Sequence, residues 1–418
     1  MRRIAKYLTG LSVADYQIPQ TIAAVIDFAV DSYFARIEEL QSRRPADDSP
    51  ADPKTHVKEL WLGCEIHKAV SVNRVYPMFA KAKNAWAFAK LFGDGGTYKI
   101  VPFLDTYPWK GAVKGSYEYR VQQEAVQIGP DRSVTLPVFG TFFVSDNTGA
   151  KLIVRLDLGY ESNACVVAVM AAPGAQAAAE KFLADLDRSV EQNDIYFRQC
   201  LTFLRGSLGF TKVRQTGWDE IILKDAIVQE IRDNTIGVID NMDKLASLGM
   251  VPSRNVILIS PPGMAKTTIF RAISHEVEHA TRIWCTGKSV QDSSDVTSLF
   301  EAARSLAPCI MFIEDMDLFG RDRGSLSGYE SHVLNEFLAC LDGMHQNSGV
   351  IIMASTNDIQ SMDEALVDRP GRFDVKVEMP YPDAVDRSQM LASFLRRVHA
   401  IPDRSEEHTS ELQSHSGI

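Results

Sequence analysis

The feature that most constrains the fold is an apolar run that leads through a short loop into a helix. Residues 255–260 read NVILIS, which is typical of a buried strand, and residues 261–268 read PPGMAKTT. A strand, a glycine-containing loop and a helix in this order form the setting of a phosphate-binding loop. There, backbone N–H groups and a lysine contact the phosphates and a hydroxyl group binds Mg²⁺. Lys266 and Thr267 supply the last two groups.

Two positions of this loop depart from the pattern GxxxxGK[ST]. Ser260 stands at the first glycine position and Ala265 at the second, so only Gly263 keeps a free choice of φ. The loop pattern alone is therefore weak support, and the interpretation depends on the strands that come later in the chain.

Two further apolar runs end in polar residues. Residues 308–317 read PCIMFIEDMD, and their strand ends at Glu314 and Asp315. One carboxylate at such a position helps hold Mg²⁺, and its neighbour can polarise the attacking water. A third run, residues 350–354, leads to Asn357, whose side chain can reach a phosphate. The alternation of helices with these strands predicts a parallel sheet with helices on both faces.

A tight turn with two arginines follows these strands. Residues 368–374 read DRPGRFD, with Arg369 and Arg372 on either side of Pro370 and Gly371. Two arginines around a Pro-Gly turn are unusual in a core element and are suited to contacting a phosphate from outside.

With these segments in order, residues 217–399 resemble the AAA subfamily of the AAA+ ATPases. GWDEIILKDAIVQEIRDN is similar to the family's lead-in around the adenine, PPGMAKTT to its Walker A loop and PCIMFIEDMD to its Walker B strand. LNEFLACLDGM, ASTN and ALVDRPGRFD resemble the helix, the sensor 1 segment and the second region of homology. The resemblance implies an α/β P-loop AAA+ module, a parallel sheet flanked by helices, with a helical lid.

The resemblance also implies ATP and Mg²⁺ as cofactors and assigns roles to individual residues. Nucleotide-binding positions are Pro262, Gly263, Met264, Ala265, Lys266, Thr267, Thr268, Ile221 and Ile222. Thr267 and Glu314 would bind Mg²⁺, and the catalytic positions are Glu314, Asp315, Asn357, Arg369 and Arg372. The family usually reads Asp-Glu where this chain reads Glu314-Asp315, so the shorter Asp315 falls on the water-activating position. Arg369 and Arg372 would be arginine fingers acting on ATP held by the next subunit, which implies a ring, usually a hexamer.

The rest of the chain carries fewer signals. We expect an N-terminal helical segment over 1–40, a flexible linker over 41–56 and an α+β domain of unknown function over 57–206, followed by the ATPase core over 207–382. Within 57–206, strands are predicted at 117–121, 136–144, 151–158 and 165–170, and a helix at 175–190. Its aromatic residues suit core packing, with a recognition surface as the alternative: Trp86, Phe88, Phe92, Tyr98, Phe103, Tyr107 and Trp109.

Net charge, cysteine spacing and the length of the apolar stretches indicate which partners and which compartment suit the chain. A formal net charge of −10 argues against a chain built to hold nucleic acid. The six cysteines form no CxxC pair, which fits a reducing compartment, and we expect the cytoplasm. No apolar stretch approaches the roughly 20 residues of a membrane-spanning helix.

The end of the chain predicts an incomplete lid. Residues 384–399 read as the first lid helix, so the start of a lid spans 383–403. Residues 404–418 are polar without an apolar period. They resemble the translation of a sequencing-library adaptor, and we expect an artefactual tail there.

The leading hypothesis is an ATP-hydrolysing, ring-forming remodeller of a protein substrate, with the N-terminal domain as adaptor. One alternative is a nucleotide-gated scaffold with little turnover, which the altered loops suggest. A less favoured alternative is a zinc metalloprotease: residues 275–279 read HEVEH, but their helix is the one leaving the phosphate-binding loop and no third ligand is evident. On a helix, His275 and His279 of this HExxH pattern would share a face beside Glu276.

Overall fold

The computed structural model describes residues 50, 52–93, 96–113, 116–161, 164–316, 328–342, 347–362, 366 and 372–399. The chain divides into two compact units, one reaching to Lys212 with the addition of Ser298–Ala302, and one beginning at Val213. The helical segment predicted for 1–40 and the tail predicted for 404–418 lie outside the described residues. Among the described residues, none of the helices has the length and apolar character needed to cross a membrane.

The first unit is built on an antiparallel sheet. Its strands are β1 (Val70–Tyr76), β2 (Tyr98–Ile100), β3 (Gln122–Gly129), β4 (Arg132–Asp146), β5 (Lys151–Leu158) and β6 (Cys165–Ala171). They lie in the order β1-β6-β5-β4-β2, and β3 pairs with the first part of β4. In β6 every second residue is buried, as expected of a strand with one face on the core. A hairpin of β7 (Cys200–Leu204) and β8 (Ser207–Phe210) follows.

Among its described residues this unit has five α-helices: α1 (Pro53–Leu62), α2 (Lys81–Lys90), α3 (Phe103–Thr106), α4 (Lys110–Val113) and α5 (Gln176–Gln192). The buried residues of α5 recur at three- and four-residue steps, which gives the helix one apolar face. That face packs against α2, β1 and β6. Phe182 and Leu186 of α5 are fully buried in the resulting core.

Most of the elements expected in this unit form, with one correction. The strand predicted for 117–121 is wrong, because Tyr117–Tyr119 form a 3₁₀ helix and strand pairing begins only at Gln122. The seven aromatic residues pack in two apolar cores. Trp86, Phe88, Tyr98 and Tyr107 are buried, and Phe92, Phe103 and Trp109 pack against the buried residues. Core packing therefore accounts for them, rather than a recognition surface.

Two predicted boundaries shift in the structure. Helix α1 begins at Pro53, inside the range predicted as linker, and the Asp52 side chain caps it by accepting a hydrogen bond from the Lys54 N–H. The boundary predicted between 206 and 207 would cut the β7–β8 hairpin, whereas the two units separate between Lys212 and Val213. The pairing of Leu204 with Ser207 across this short turn is a local feature that composition alone does not reveal.

The second unit contains a parallel sheet, as predicted. Its strands are β9 (Arg254–Ile259), β10 (Thr281–Thr286), β11 (Cys309–Glu314), β12 (Val350–Thr356) and β13 (Val375–Glu378). They lie in the order β13-β9-β12-β11-β10 with every neighbouring pair parallel. β9, β11 and β12 are almost completely buried, because a parallel sheet is covered on both faces.

From Val213 onward the described α-helices include α6 (Asp225–Asn234), α7 (Ile236–Asp240), α8 (Met242–Ser247), α9 (Lys266–Glu276), α10 (Ser293–Ser305), α11 (Gly328–Asp342) and α12 (Ala384–His399), and the residues Ser298–Ala302 of α10 group with the first unit. Helix α9 leaves the loop after β9, and its residues Ile269, Phe270 and Ile273 are fully buried. Phe270 packs against Phe312 of β11 with ring centroids 5.0 Å apart. This contact fixes α9 against the sheet, and with it the loop at its N-terminus.

Candidate nucleotide site

The loop between β9 and α9 ends in a left-handed turn. Gly263 has φ of 82° and Ala265 has φ of 59°. Apart from its two chain neighbours, no atom of the described residues lies within 4 Å of a Cβ built on Gly263, so the glycine serves the backbone conformation rather than a close contact. Ala265 adopts the same region with a side chain, which costs roughly 1–2 kcal/mol in an L-residue. The loop keeps the conformation that a glycine would allow at the position where this sequence has alanine.

The ammonium group of Lys266 lies at the centre of the loop. Its Nζ donates hydrogen bonds to the carbonyl oxygen of Ser260 at 2.8 Å, to Ser260 Oγ at 3.1 Å and to the carbonyl oxygen of Pro261 at 3.2 Å. It also donates to Asn357 Oδ1 at 2.8 Å. The structure therefore joins two predicted site residues, Lys266 and Asn357, which lie 91 positions apart in the chain.

Ser260 is a contact that sequence reasoning missed. It is buried, with 3% of its surface exposed, and its hydroxyl group faces Lys266 Nζ. The sequence showed Ser260 only as a departure from the glycine of the loop pattern. In the structure, the Ser260 hydroxyl group accepts a hydrogen bond from Lys266 Nζ, a contact that a glycine side chain could not make.

Glu314 and Thr267 bring two oxygen-bearing side chains together. The Thr267 side chain hydrogen-bonds to the Glu314 carboxylate, and within the described part of the chain Glu314 Oε1 is buried without a hydrogen-bond partner. Burial raises the pKa of Glu314, and the neighbouring charge of Asp315 adds to this, whereas Thr267 and Arg271 lower it. A desolvated carboxylate oxygen beside a hydroxyl group is a suitable donor set for Mg²⁺. These residues thus fit the metal that the resemblance implies.

Asp315 differs from Glu314 in both exposure and backbone. Its side chain is exposed, and its φ of 53° lies in the left-handed region, which Asp tolerates better than most residues. The turn at Asp315 directs the chain out of β11 immediately after Glu314. The two carboxylates are thereby separated into a half-buried group and an exposed one.

The residues predicted to face the nucleotide share one edge of the sheet because carboxyl ends of parallel strands meet there. The loop with Lys266 follows β9, Glu314 ends β11 and Asn357 follows β12. Ile221 lies in the core of the second unit at 7% exposure, and Ile222 is half-buried. Pro262 is exposed, whereas Met264 and Thr268 are half-buried.

The arginine region has a different arrangement. Arg369 lies outside the described residues. Arg372 is 3% exposed and makes a two-point ion pair with Asp342, with Nε to Oδ1 at 2.7 Å and NH2 to Oδ2 at 2.6 Å. Asp342 ends α11 and was not singled out from the sequence. As an arginine finger, Arg372 would have to leave this partner or act while held by it.

The HExxH pattern does not build a zinc site in this structure. Helix α9 ends at Glu276 and Val277 is buried, so His275 and His279 do not share one helix face. His279 Nε2 lies 3.1 Å from Asp240 Oδ1, and Glu276 accepts hydrogen bonds from Trp218 and Arg232. Within the described ranges, no three His, Cys, Asp or Glu side chains are grouped to hold a metal ion. The expectation of a helix carrying both histidines is wrong because the helix ends too early.

Comparison with known proteins finds matches in the second unit. Residues 256–381 match the family described as "ATPase family associated with various cellular activities (AAA)". The ATP-dependent zinc metalloprotease YME1L of Drosophila melanogaster is 35% identical over 181 residues, which cover 42% of this chain and 24% of that protein. The ATP-dependent zinc metalloprotease FtsH 3 of Sorangium cellulosum is 37% identical over 187 residues, covering 42% and 30%.

A third relative, the chloroplastic ATP-dependent zinc metalloprotease FTSH 5 of Arabidopsis thaliana, is 34% identical over 202 residues, covering 46% of this chain and 28% of that protein. The chain thus spans 24–30% of the length of these relatives. The family match covers the loop with Lys266, Glu314 and Asn357. ATP with Mg²⁺ is the cofactor pair of this family. The chain therefore carries an ATPase domain of the AAA family.

Proposed function

We propose that the chain hydrolyses ATP within a ring of identical subunits, a hexamer, and uses that hydrolysis to remodel a protein substrate. The observation that carries the proposal is the meeting of Lys266, Asn357, Thr267 and Glu314 at one edge of the parallel sheet. The three relatives are described as ATP-dependent proteases, and a protein substrate agrees with those names.

Each residue of the site has a chemical role in this proposal. Lys266 and the backbone N–H groups at the start of α9 would bind and orient the phosphates. Thr267 and Glu314 would hold Mg²⁺, which neutralises the charge that develops during phosphoryl transfer. Asp315 would accept a proton from the attacking water through its exposed carboxylate. Asn357 would orient the phosphate while keeping its contact with Lys266.

Arg369 and Arg372 would act on ATP bound by the neighbouring subunit, and this trans arrangement is the reason for proposing a ring. The first unit would be the adaptor that selects the substrate. The cytoplasm remains the proposed location, and the six cysteines, none of which forms a disulfide among the described residues, support a reducing compartment.

A second candidate is a nucleotide-gated scaffold that binds ATP with little turnover. Two observations favour it: Ala265 occupies a left-handed position where glycine would be unstrained, and the water-activating position carries the shorter carboxylate of Asp315. Both features lie next to the reacting groups, and both would slow chemistry more than binding.

Phosphate release by the purified full-length chain, measured with ATP and Mg²⁺ beside ATP binding and particle size, separates the two. Turnover together with a multi-subunit particle supports the remodeller. Binding and assembly without phosphate release would support the scaffold. Absence of nucleotide binding in the intact chain would contradict both. The variant Lys266→Ala, made in parallel, controls for contaminating ATPases.

A further inference from the structure

The glutamate of the HExxH pattern takes part in a three-residue cluster at the far end of α9. Glu276 Oε2 accepts a hydrogen bond from Trp218 Nε1 at 2.7 Å and another from Arg232 NH1 at 2.8 Å. Arg232 NH2 also pairs with Glu276 Oε1. The Arg232 guanidinium lies over the Trp218 ring, with Cζ 5.5 Å from the ring centroid. Each member therefore contacts the other two.

Glu276 lies at a position where its negative charge requires a compensating partner. A carboxylate at the C-terminal end of a helix faces the negative end of the helix dipole, which favours cations instead. Glu276 is the last residue of α9, and only 32% of its side chain is exposed. The two-point contact with Arg232 supplies the compensating charge, and such charge-assisted pairs are the stronger class of hydrogen bond.

The cluster connects two segments that belong to the nucleotide site. Trp218 opens the 3₁₀ helix Trp218–Glu220, and its carbonyl oxygen accepts the N–H of Ile221 at 3.0 Å. Ile221 is buried in the core of the second unit. Glu276 ends the helix that begins with Lys266, roughly 15 Å away at 1.5 Å rise per residue. One end of α9 thus faces the phosphates, and the other holds the segment predicted to contact the adenine.

We propose that Glu276 is a positioning residue for the base side of the ATP site. Through Trp218 it fixes Ile221 and Ile222 relative to the phosphate-binding loop, and Arg232 holds it in place. The inference rests on the proposed function, because it takes Ile221 and Ile222 as the adenine-contacting residues. It also gives the glutamate of the HExxH pattern a role that does not involve zinc.

The test is Glu276→Gln in the full-length chain. The amide keeps the shape of the side chain but sets an NH₂ group against the Arg232 guanidinium and removes the charge. Binding of Mg-ATP and of Mg-tripolyphosphate, which lacks base and ribose, is measured by calorimetry. We expect ATP to bind about 5- to 10-fold more weakly, which corresponds to roughly 1–1.4 kcal/mol. Tripolyphosphate should bind within about 2-fold of wild type, and KM for ATP should rise while kcat changes little.

Glu278→Gln is the matched control. Glu278 lies two positions further on, its side chain is 65% exposed, and its Oε1 lies 3.3 Å from Nδ1 of His275, a different partner from Trp218 and Arg232. The same loss of charge there should leave both affinities unchanged. Trp218→Phe is the second variant: it keeps the aromatic ring but removes the Nε1 donor, and it should weaken ATP binding in the same direction by a smaller factor. If Glu276→Gln does not fold, the inference is tested with Trp218→Phe instead.

Two results would overturn the inference. Equal weakening of ATP and tripolyphosphate would mean that Glu276 acts on the whole domain rather than on the base side. Unchanged ATP affinity in both Glu276→Gln and Trp218→Phe would mean that the cluster does not position the site. Failure of the wild-type chain to bind ATP would instead contradict the proposed function, so the two failures are distinguishable.

Discussion

The two halves of the proposed catalytic arrangement differ in how their charged groups are held. On the phosphate-binding side, Lys266 contacts Asn357 and Ser260 at the edge of the sheet, next to Glu314. On the arginine side, Arg372 is buried and bound to Asp342 of its own chain. A single chain thus brings together the groups proposed to bind phosphate, whereas its described arginine is directed to an internal partner. The first half is therefore formed within one chain, and the second depends on what releases or presents the arginine.

The largest effect is expected from the arginines. Arg369→Ala and Arg372→Ala should each lower phosphate release by on the order of 10³-fold and leave ATP binding nearly unchanged, because a finger acts mainly on transition-state charge. Phosphate release and ATP affinity are measured on the same preparations.

Mixed assemblies then test whether the arginines act between subunits. An arginine variant combined with Lys266→Ala should recover part of the activity, because one subunit contributes intact fingers and the other an intact loop. No recovery at any ratio, with mixed assemblies shown to form, would count against catalysis between subunits. If Arg372→Ala loses thermal stability and ATP binding together, Arg372 serves the fold through Asp342.

The second-largest effect is expected on ATP binding when Lys266 of the phosphate-binding loop is replaced. Lys266→Ala should weaken ATP binding by about 10- to 100-fold, since hydrogen bonds to a charged group contribute roughly 1.5–3 kcal/mol. The fold should stay intact, because the ammonium group contacts carbonyl, hydroxyl and amide oxygens rather than the apolar core. Calorimetric titration with ATP gives the affinity and circular dichroism checks the fold. Wild-type affinity in this variant would show that the loop is not the phosphate site.

A smaller effect is expected at Glu314, where binding and stability should change in opposite directions. Glu314→Gln removes a carboxylate whose pKa is raised by burial, so without Mg²⁺ the variant should melt a few degrees higher than wild type at pH 7. Burial disfavours the ionised form of the Glu314 carboxyl group, so ionisation lowers the stability of the folded wild type. The difference in melting temperature between Glu314→Gln and wild type should therefore be absent below pH 4.5, the ordinary pKa of a glutamate. It should grow as pH rises through the raised pKa of Glu314.

Addition of Mg-ATP completes this test. It should raise the melting temperature of the wild type more than that of Glu314→Gln, because the amide is a poorer Mg²⁺ ligand. A variant that melts lower than wild type without nucleotide would show that Glu314 stabilises the fold through its bond with Thr267.

The sequence predicted those parts of the molecule that depend on local pattern. The three apolar runs at 255–260, 308–317 and 350–354 contain or overlap the strands β9, β11 and β12. The helix expected at 384–399 is Ala384–His399. Contacts between distant residues were not predictable. Asp342 and Arg372 are 30 positions apart, and no local signal pairs them.

The HExxH pattern shows the same limit. Its spacing suggested a shared helix face, but α9 ends at Glu276, where tertiary contacts with Trp218 and Arg232 decide the side chain's role. The 3₁₀ helix at Tyr117–Tyr119 was predicted as a strand because its alternating aromatic residues match a strand period.

The smallest effect is expected at Ala265, where the phosphate-binding side departs from its usual glycine. Ala265→Gly relieves a left-handed backbone conformation, which is worth roughly 1–2 kcal/mol. The added glycine also gives the unfolded chain more freedom, which offsets about 0.4–1 kcal/mol. The net expectation is a gain of about 0.5–1 kcal/mol in the free energy of unfolding, measured by chemical denaturation.

Ala272→Gly is the control for this prediction, since Ala272 lies inside α9 and is buried. The same exchange there should destabilise the fold by at least about 1 kcal/mol, because glycine is unfavourable in a helix interior. Opposite signs for the two variants would show that the conformation at Ala265, and not glycine as such, sets the outcome. If both variants destabilise equally, the left-handed turn carries no strain, and slow turnover could not be attributed to it. If Ala265→Gly stabilises the fold and also raises phosphate release, the alanine restrains the loop, and the departure from the glycine pattern lowers activity as well as stability.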